Sequence, residues 1–151
     1  MQLPRLNLPQ ASFSIREHNG RTEIFDRHRK RYVALTPEEW VRQHFLHYLV
    51  HVKNFPEGLI AVEQEIRFHR MKKRCDIVVH DFSGQPYMIV ECKAPEVKID
   101  QDVFDQVAVY NMTLNVPLLV LTNGMVHYCC RMDHQNSRYS FLEDIPEKGE
   151  G

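Results

Sequence analysis

The sequence predicts an α/β fold in which helices flank a mixed β-sheet, with an extra β-hairpin at the N-terminus. Short apolar runs of strand length alternate with turns, and two longer segments carry apolar residues at helical spacing. From residue 36 the order is helix, three strands, helix, strand, strand, which is typical of an α/β sandwich. We expect an N-terminal extension over residues 1–35, a core over 36–145 and a disordered tail over 146–151.

Composition restricts the function classes without selecting one. The chain has 151 residues, 43% of them hydrophobic and 26% charged, which suits a single globular domain. A net charge of −1 gives no overall basic field of the kind that marks many nucleic-acid-binding proteins. We find neither a membrane-spanning run nor the apolar segment of a secretory signal. We therefore expect a cytoplasmic protein whose four cysteines are reduced.

The first half of the chain contains a hairpin and a well-marked helix. Asn19-Gly20 lies between two short strand-like runs and predicts the hairpin, and residues 32–35 favour another short strand. The helix begins with Thr36 as N-cap, Pro37 at its first position and Glu39 three residues after the cap. The basic run at residues 27–31 is more typical of a solvated loop than of a binding site, which is the alternative.

An acid, a turn, then an acid and a lysine follow on adjacent strands. Asp76 opens one apolar strand, a Gly/Pro turn covers residues 81–86, and the next strand ends in Glu91-Cys92-Lys93. Side chains alternate along a strand, so Glu91 and Lys93 share a face and Cys92 points away. If the strands pair around the turn, Asp76 lies beside Glu91. Two carboxylates and an ammonium suit a hard divalent cation and a phosphodiester.

Two plainer interpretations compete with this one. Acids at strand ends are common, and a cross-strand Glu–Lys pair is usually a surface salt bridge of little energy. A zinc site at His127, Cys129 and His134 is the other alternative, but no C-x-x-C spacing supports it.

The order of elements resembles the PD-(D/E)xK nuclease core, the restriction-endonuclease-like fold. It is most similar to the N-terminal nuclease domain of type I restriction enzyme R subunits, in a short stand-alone form. The similarity covers residues 36–131 and is carried by residues 37–42, 74–77, 90–95 and 104–111. The second predicted helix, over residues 100–115, contributes a Gln-x-x-x-Tyr element, Gln106 and Tyr110, on one helical face. Cys75 stands where the motif has proline.

The resemblance implies a role for each residue. Mg²⁺ (or Mn²⁺) would be held by Asp76, Glu91 and the backbone carbonyl of Cys92, while Lys93 would orient the attacking water and stabilise charge on the phosphate. Glu38 or Glu39 could reach the metal through water. Gln106 and Tyr110 would support the site. DNA would be bound by Gln106 and by the basic residues Arg70, Lys72, Lys73 and Arg74. Alternatives remain: Glu39 as a capping-box residue, Tyr110 as core with Gln106 solvated, and Asp76 as a strand cap.

The predicted function is a Mg²⁺-dependent nuclease that hydrolyses DNA phosphodiester bonds and is related to the nuclease domain of type I restriction enzyme R subunits. No P-loop, helicase motor or methyltransferase sequence is present, so a partner protein would have to supply translocation or site recognition. The alternative is a catalytically silent nucleic-acid- or protein-binding module with the same fold.

Overall fold

The computed structural model describes residues 3–148 and contains a three-stranded and a six-stranded sheet with two helices. The elements are β1 (Ile15–His18), β2 (Arg21–Asp26), β3 (Arg31–Ala34), α1 (Pro37–His51), β4 (Ile60–Phe68), β5 (Met71–His80), β6 (Pro86–Cys92), α2 (Gln101–Met112), β7 (Leu118–Thr122), β8 (His127–Asp133) and β9 (Arg138–Leu142). The predicted α/β class is confirmed, and the N-terminal hairpin gains β3 as a third strand.

The large sheet has the strand order β4-β5-β6-β7-β8-β9. Neighbours pair antiparallel except β6 and β7, which are parallel because α2 carries the chain across one face between them. The turn between β5 and β6 pairs Ile77 with Val90, so the two strands that carry the predicted acids are hydrogen-bonded neighbours.

The two helices cover opposite faces of this sheet. Thr36 caps α1 by accepting a hydrogen bond from the Glu39 N–H at 3.0 Å. The helix buries Val41, Phe45 and Leu49 in one core, which we call the α1-side core. α2 is capped by Asp100 and buries Phe104 and Ala108 in a second, α2-side core. The result is a three-layer sandwich.

The side chains of the β4–β5 hairpin switch from one face of the sheet to the other at Glu63 and Asp76. Ile77 packs in the α1-side core and Cys75 in the α2-side core, although residues two apart on a regular strand share a face. The β4–β5 ladder pairs residues on both sides of Glu63 and Asp76 but not these two with each other. Glu63 has φ 53°, a left-handed conformation that is uncommon for a non-glycine residue. The outer half of the hairpin is therefore rotated toward the α2 side.

A buried ion pair attaches the small sheet to α1. Asp26, at the end of β2, is fully buried and pairs with Arg29. Arg29 Nη2 also donates to Glu39 Oε1 at 2.7 Å. The side chain of Arg29 is 13% exposed, so the interpretation of residues 27–31 as a solvated loop is wrong for this residue.

At the C-terminal end, the Lys148 N–H donates to the carbonyl of Lys53 at 2.9 Å. The predicted tail begins at residue 146, and its last three residues, 149–151, lie outside the described part. Among residues 3–148, no helix is long and apolar enough to cross a membrane. All four cysteines are free and buried.

Candidate active site

The carboxylate of Asp76 lies at the open end of the β5–β6 pair. Extending the Ile77–Val90 register by one residue sets Asp76 opposite Glu91. The backbone N–H of Cys92 donates to Asp76 Oδ2 at 2.7 Å, so the carboxylate takes the place of a ladder acceptor between the strands. Arg42, on α1, places Nη1 at 3.8 Å from Asp76 Oδ1. With a side chain 31% exposed, Asp76 remains open to solvent on one side.

Glu91 lies on the α2 side and is paired with a lysine of the hairpin. Its side chain is 14% exposed, and Lys73 Nζ donates to Glu91 Oε1. Burial raises the pKa of Glu91, Lys73 partly offsets this, and the charge of Asp76 raises the pKa further. The two carboxylates are therefore close enough to repel each other.

Cys92 contributes its backbone rather than its thiol. The side chain packs in the α1-side core, where burial raises its pKa well above the usual value, so the thiol stays protonated. Its N–H points to Asp76, and the N–H and C=O of one strand residue face the same neighbouring strand. The carbonyl oxygen of Cys92 therefore faces the Asp76 side of β6.

Lys93 places an ammonium group near Glu91. Its backbone N–H donates to the carbonyl of Thr122 at 2.8 Å, which fixes the residue just past the end of β6. Its charge lowers the pKa of Glu91. Within residues 3–148, Lys93 Nζ forms no ion pair. An ammonium that is close enough to lower the pKa of Glu91 and is not held in an ion pair is available to an anionic ligand.

Comparison with known proteins identifies a family that covers most of the chain. Residues 37–146 match the sequence model of the family described as type I restriction enzyme R protein N terminus (HSDR_N). The chain belongs to this family. The predicted resemblance to R-subunit N-terminal domains is thereby confirmed, and membership suggests a nuclease-related function.

A solved structure supports the fold of this HSDR_N domain. The match is a fragment from Vibrio vulnificus YJ016 described as an HsdR subunit of a type I restriction enzyme. It is 18% identical with a TM-score of 0.53, and the match covers 77% of this chain and 24% of that one. The chain thus spans about a quarter of that protein's length. No curated protein matches the sequence.

α2 of the HSDR_N domain approaches the site through Tyr110. Lys73 Nζ lies 5.5 Å from the centre of the Tyr110 ring, so this ring contacts the cation that pairs with Glu91. Tyr110 is 47% exposed, so the alternative that it is a core residue is wrong. Gln106, one turn earlier, is exposed on α2.

Glu39 is directed into a buried ion network rather than toward solvent. It is 4% exposed, and its carboxylate accepts hydrogen bonds from Arg29 and, at 2.9 Å, from Gln43. Its own N–H completes the Thr36 cap, but its carboxylate does not complete a capping box. Glu38, its neighbour, is exposed.

Sequence reasoning missed the rest of this network. Arg42 is 8% exposed and places Nη1 at 3.5 Å from Glu63 as well as near Asp76. The Nε and Nη1 groups of Arg42 are buried without a hydrogen-bond partner. The available signal was the spacing of Glu39 and Arg42, three residues apart on one helical face.

The predicted DNA-binding cations occupy the outer part of the β4–β5 hairpin. Arg70 and Lys72 are exposed. Arg74 Nη2 lies 2.8 Å from Glu63 Oε2, and Lys73 is turned inward to Glu91. Two of the four cations thus have acidic partners.

The residues of the zinc alternative have local hydrogen-bond partners. His127 contacts the hydroxyl of Thr122 and the carbonyl of Asn7, and both ring nitrogens of His134 lie at backbone carbonyls. In the part of the chain that is described, no three His, Cys, Asp or Glu side chains are grouped to hold a metal. At the Asp76–Glu91 site, a third protein ligand would have to come from the main chain.

Proposed function

We propose that this chain is a Mg²⁺-dependent nuclease that hydrolyses DNA phosphodiester bonds, with Mn²⁺ able to replace Mg²⁺. The observation that carries the proposal is the proximity of Asp76 and Glu91 where the pairing of β5 with β6 ends, next to Lys93, which has no ion-pair partner within residues 3–148. Membership of the R-protein N-terminal family supports it.

The donor set fits a hard divalent cation. Asp76, Glu91 and the Cys92 carbonyl offer oxygen atoms, which Mg²⁺ prefers over nitrogen or sulfur ligands. Glu91 already accepts a positively charged group, the ammonium of Lys73. A bound cation would polarise the phosphate and lower the pKa of a water molecule.

The protein's own groups perform the remaining tasks. The Cys92 N–H fixes the orientation of Asp76, and Lys93 stabilises the negative charge that develops on the phosphate during attack. Tyr110 reaches the site through Lys73, Gln106 would support the site from the same helix, and the exposed cations Arg70 and Lys72 would contact the DNA backbone.

In a restriction system this domain would act with a partner. The chain covers 24% of the HsdR fragment that it matches, so motor and site-recognition functions belong to other domains or subunits in this proposal. DNA is the proposed substrate.

A second candidate is a catalytically silent binding module. Each acid already has a cation nearby, Arg42 for Asp76 and Lys73 for Glu91, so the carboxylates are compensated without a metal. This arrangement would suit a domain that retained the fold and lost the reaction.

One experiment separates the two candidates. Supercoiled plasmid and single-stranded DNA are incubated with the protein and Mg²⁺ or Mn²⁺, using wild type, Lys93→Ala and the control Lys98→Ala, which changes an exposed lysine outside the site. If the chain is a nuclease, wild type and Lys98→Ala should cleave DNA. Lys93→Ala should still bind Mn²⁺, but its cleavage rate should fall by about 10²-fold. Absence of wild-type cleavage under all conditions supports the binding module. Equal cleavage by wild type and Lys93→Ala would place the active site elsewhere.

A further inference from the structure

The outer half of the β4–β5 hairpin forms an arm beside the candidate site. β4 and β5 pair with each other from Ile60–Val79 to Phe68–Met71. β6 pairs only with the part of β5 that begins at Ile77. Residues 63–76 therefore extend past the pairing with β6, and we call this segment the arm. Its exposed cations include Arg70 and Lys72.

The change of faces at Glu63 and Asp76 decides where Lys73 points. Glu91 is on the α2 side, two residues after Ile89 of the α2-side core. Without the change of faces, Lys73 would share the α1 side with Ile77 and could not reach Glu91. The rotated arm instead seats the Lys73 ammonium between Glu91 Oε1 and the ring of Tyr110.

This contact occupies one of the two oxygens that Glu91 could offer to a metal. A divalent cation binds a carboxylate oxygen at about 2.0–2.6 Å, and an ammonium hydrogen-bonds to one at about 2.8 Å. Both cannot occupy the same lone-pair position of Glu91. Because Glu91 is 14% exposed, a departing ammonium has to be replaced by another cation to avoid an uncompensated, partly buried charge.

We propose that Lys73 occupies the cation position of Glu91 in the free protein and leaves it for a nucleic-acid phosphate when DNA binds the arm. The inference rests on the proposed function in taking Glu91 as a ligand of the divalent cation. Lys73 has a flexible four-carbon stem and belongs to the same arm as the exposed Arg70 and Lys72, so a DNA backbone drawn to the arm lies close to it. DNA on the arm and a cation at Glu91 then favour each other, and this coupling is reciprocal.

The test measures Mn²⁺ affinity by calorimetry, in a Lys93→Ala background that keeps the DNA intact. Lys73→Met removes the charge and keeps the length of the side chain. We expect it to tighten Mn²⁺ binding about tenfold without DNA. Lys98→Met, the matched control, changes an exposed lysine outside the site and should leave Mn²⁺ affinity as it was. A 20-base-pair duplex should tighten Mn²⁺ binding in the parent and much less in Lys73→Met.

Two additions make the result decisive. In a Glu91→Gln background, Lys73→Met should no longer affect Mn²⁺ affinity, because the contested oxygen has lost its charge. Lys73→Gln, with thermal melting of every variant, separates loss of the ammonium from loss of folding. The proposal is overturned if folded Lys73→Met or Lys73→Gln binds Mn²⁺ no more tightly than the parent, or if the parent binds none.

Failure of this inference and failure of the nuclease proposal give different results. Tighter Mn²⁺ binding in Lys73→Met, with no DNA cleavage by wild type, would retain the inference and remove the nuclease. Cleavage by wild type with Mn²⁺ affinity insensitive to Lys73 would retain the nuclease and remove the inference.

Discussion

Asp76 is held by the backbone of Cys92, the residue between Glu91 and Lys93. The Cys92 N–H donates to Asp76 Oδ2 at 2.7 Å, so a carboxylate of β5 is positioned by the main chain of β6. One hydrogen bond thus links Asp76 to the segment that carries Glu91 and Lys93, the other two residues that the nuclease proposal requires. Mutations at Asp76 can separate the effect of losing this hydrogen bond from the effect of losing the negative charge.

Asp76→Asn and Asp76→Ala should differ in stability and agree in metal binding. Asparagine keeps an oxygen that accepts from Cys92, so its free energy of unfolding should stay within about 1 kcal/mol of wild type. Alanine leaves the N–H of Cys92, a residue 6% exposed, without its partner and should cost about 1–3 kcal/mol. Both should lose Mn²⁺ affinity. Urea unfolding and calorimetry measure the two effects, and equal stability of the variants would contradict the role given to this hydrogen bond.

Arg29→Ala should destabilise the protein far more than Arg27→Ala from the same loop. Arg29 compensates the fully buried Asp26 and the buried Glu39, and removing one member of such a group typically costs about 3–5 kcal/mol. Arg27 is 72% exposed and lies 3.8 Å from Glu57, a surface pair worth about 0–1 kcal/mol. Denaturant unfolding of both variants gives the comparison. Similar values would show that the small sheet is held by other contacts.

Asp26 should make stability depend on pH in the acid range. Burial alone raises its pKa, but the hydrogen bonds from Arg29 and the His28 N–H, with the Arg29 charge, bring the pKa below the usual 3.8. A carboxyl with a lowered folded-state pKa contributes stability above its unfolded pKa, and this contribution is lost as pH falls through the folded pKa. The stability difference between wild type and Asp26→Asn should therefore be constant near neutral pH and shrink below about pH 3.8. Urea unfolding at several pH values measures it, with the exposed Asp102→Asn as a variant that should show no such change.

Removing two arm cations should weaken DNA binding and its response to salt. Each phosphate contact contributes about −0.9 to the slope of log affinity against log salt, so Arg70→Ala/Lys72→Ala should flatten that slope by about 1.8. Fluorescence anisotropy at several salt concentrations measures it. The matched control, Lys30→Ala/Arg31→Ala, removes two exposed cations at the other sheet and should leave the slope nearly unchanged. Equal slopes in both double variants would assign DNA binding to another surface.

The adjacency of Asp76 and Glu91 could be predicted because it follows from local rules. A Gly/Pro turn between two apolar runs predicts the hairpin, and the count of residues on each side predicts the register that pairs Ile77 with Val90. The start of α1 was equally predictable, since Thr36 and Pro37 form a strong helix-start signal.

The change of faces was not predictable in the same way. It depends on the left-handed backbone at Glu63, and glutamate is not a residue type that signals this conformation. Simple alternation therefore failed to place Lys73 at Glu91. The burial of Arg29 was also missed. Arg29 is buried because it pairs with Asp26, which is fully buried at the end of β2, whereas the cations next to it in sequence, such as Arg27 and Lys30, are exposed.

The ion-pair network around Arg42 contains one more carboxylate than guanidinium groups, with Asp26, Glu39, Glu63 and Asp76 against Arg29, Arg42 and Arg74. It reaches solvent at Asp76, whose side chain is 31% exposed and which is the last residue of an arm with exposed positive charge. The near-zero net charge of the chain conceals this separation of charge. It draws a polyanion to the arm and a small cation to Asp76, side by side.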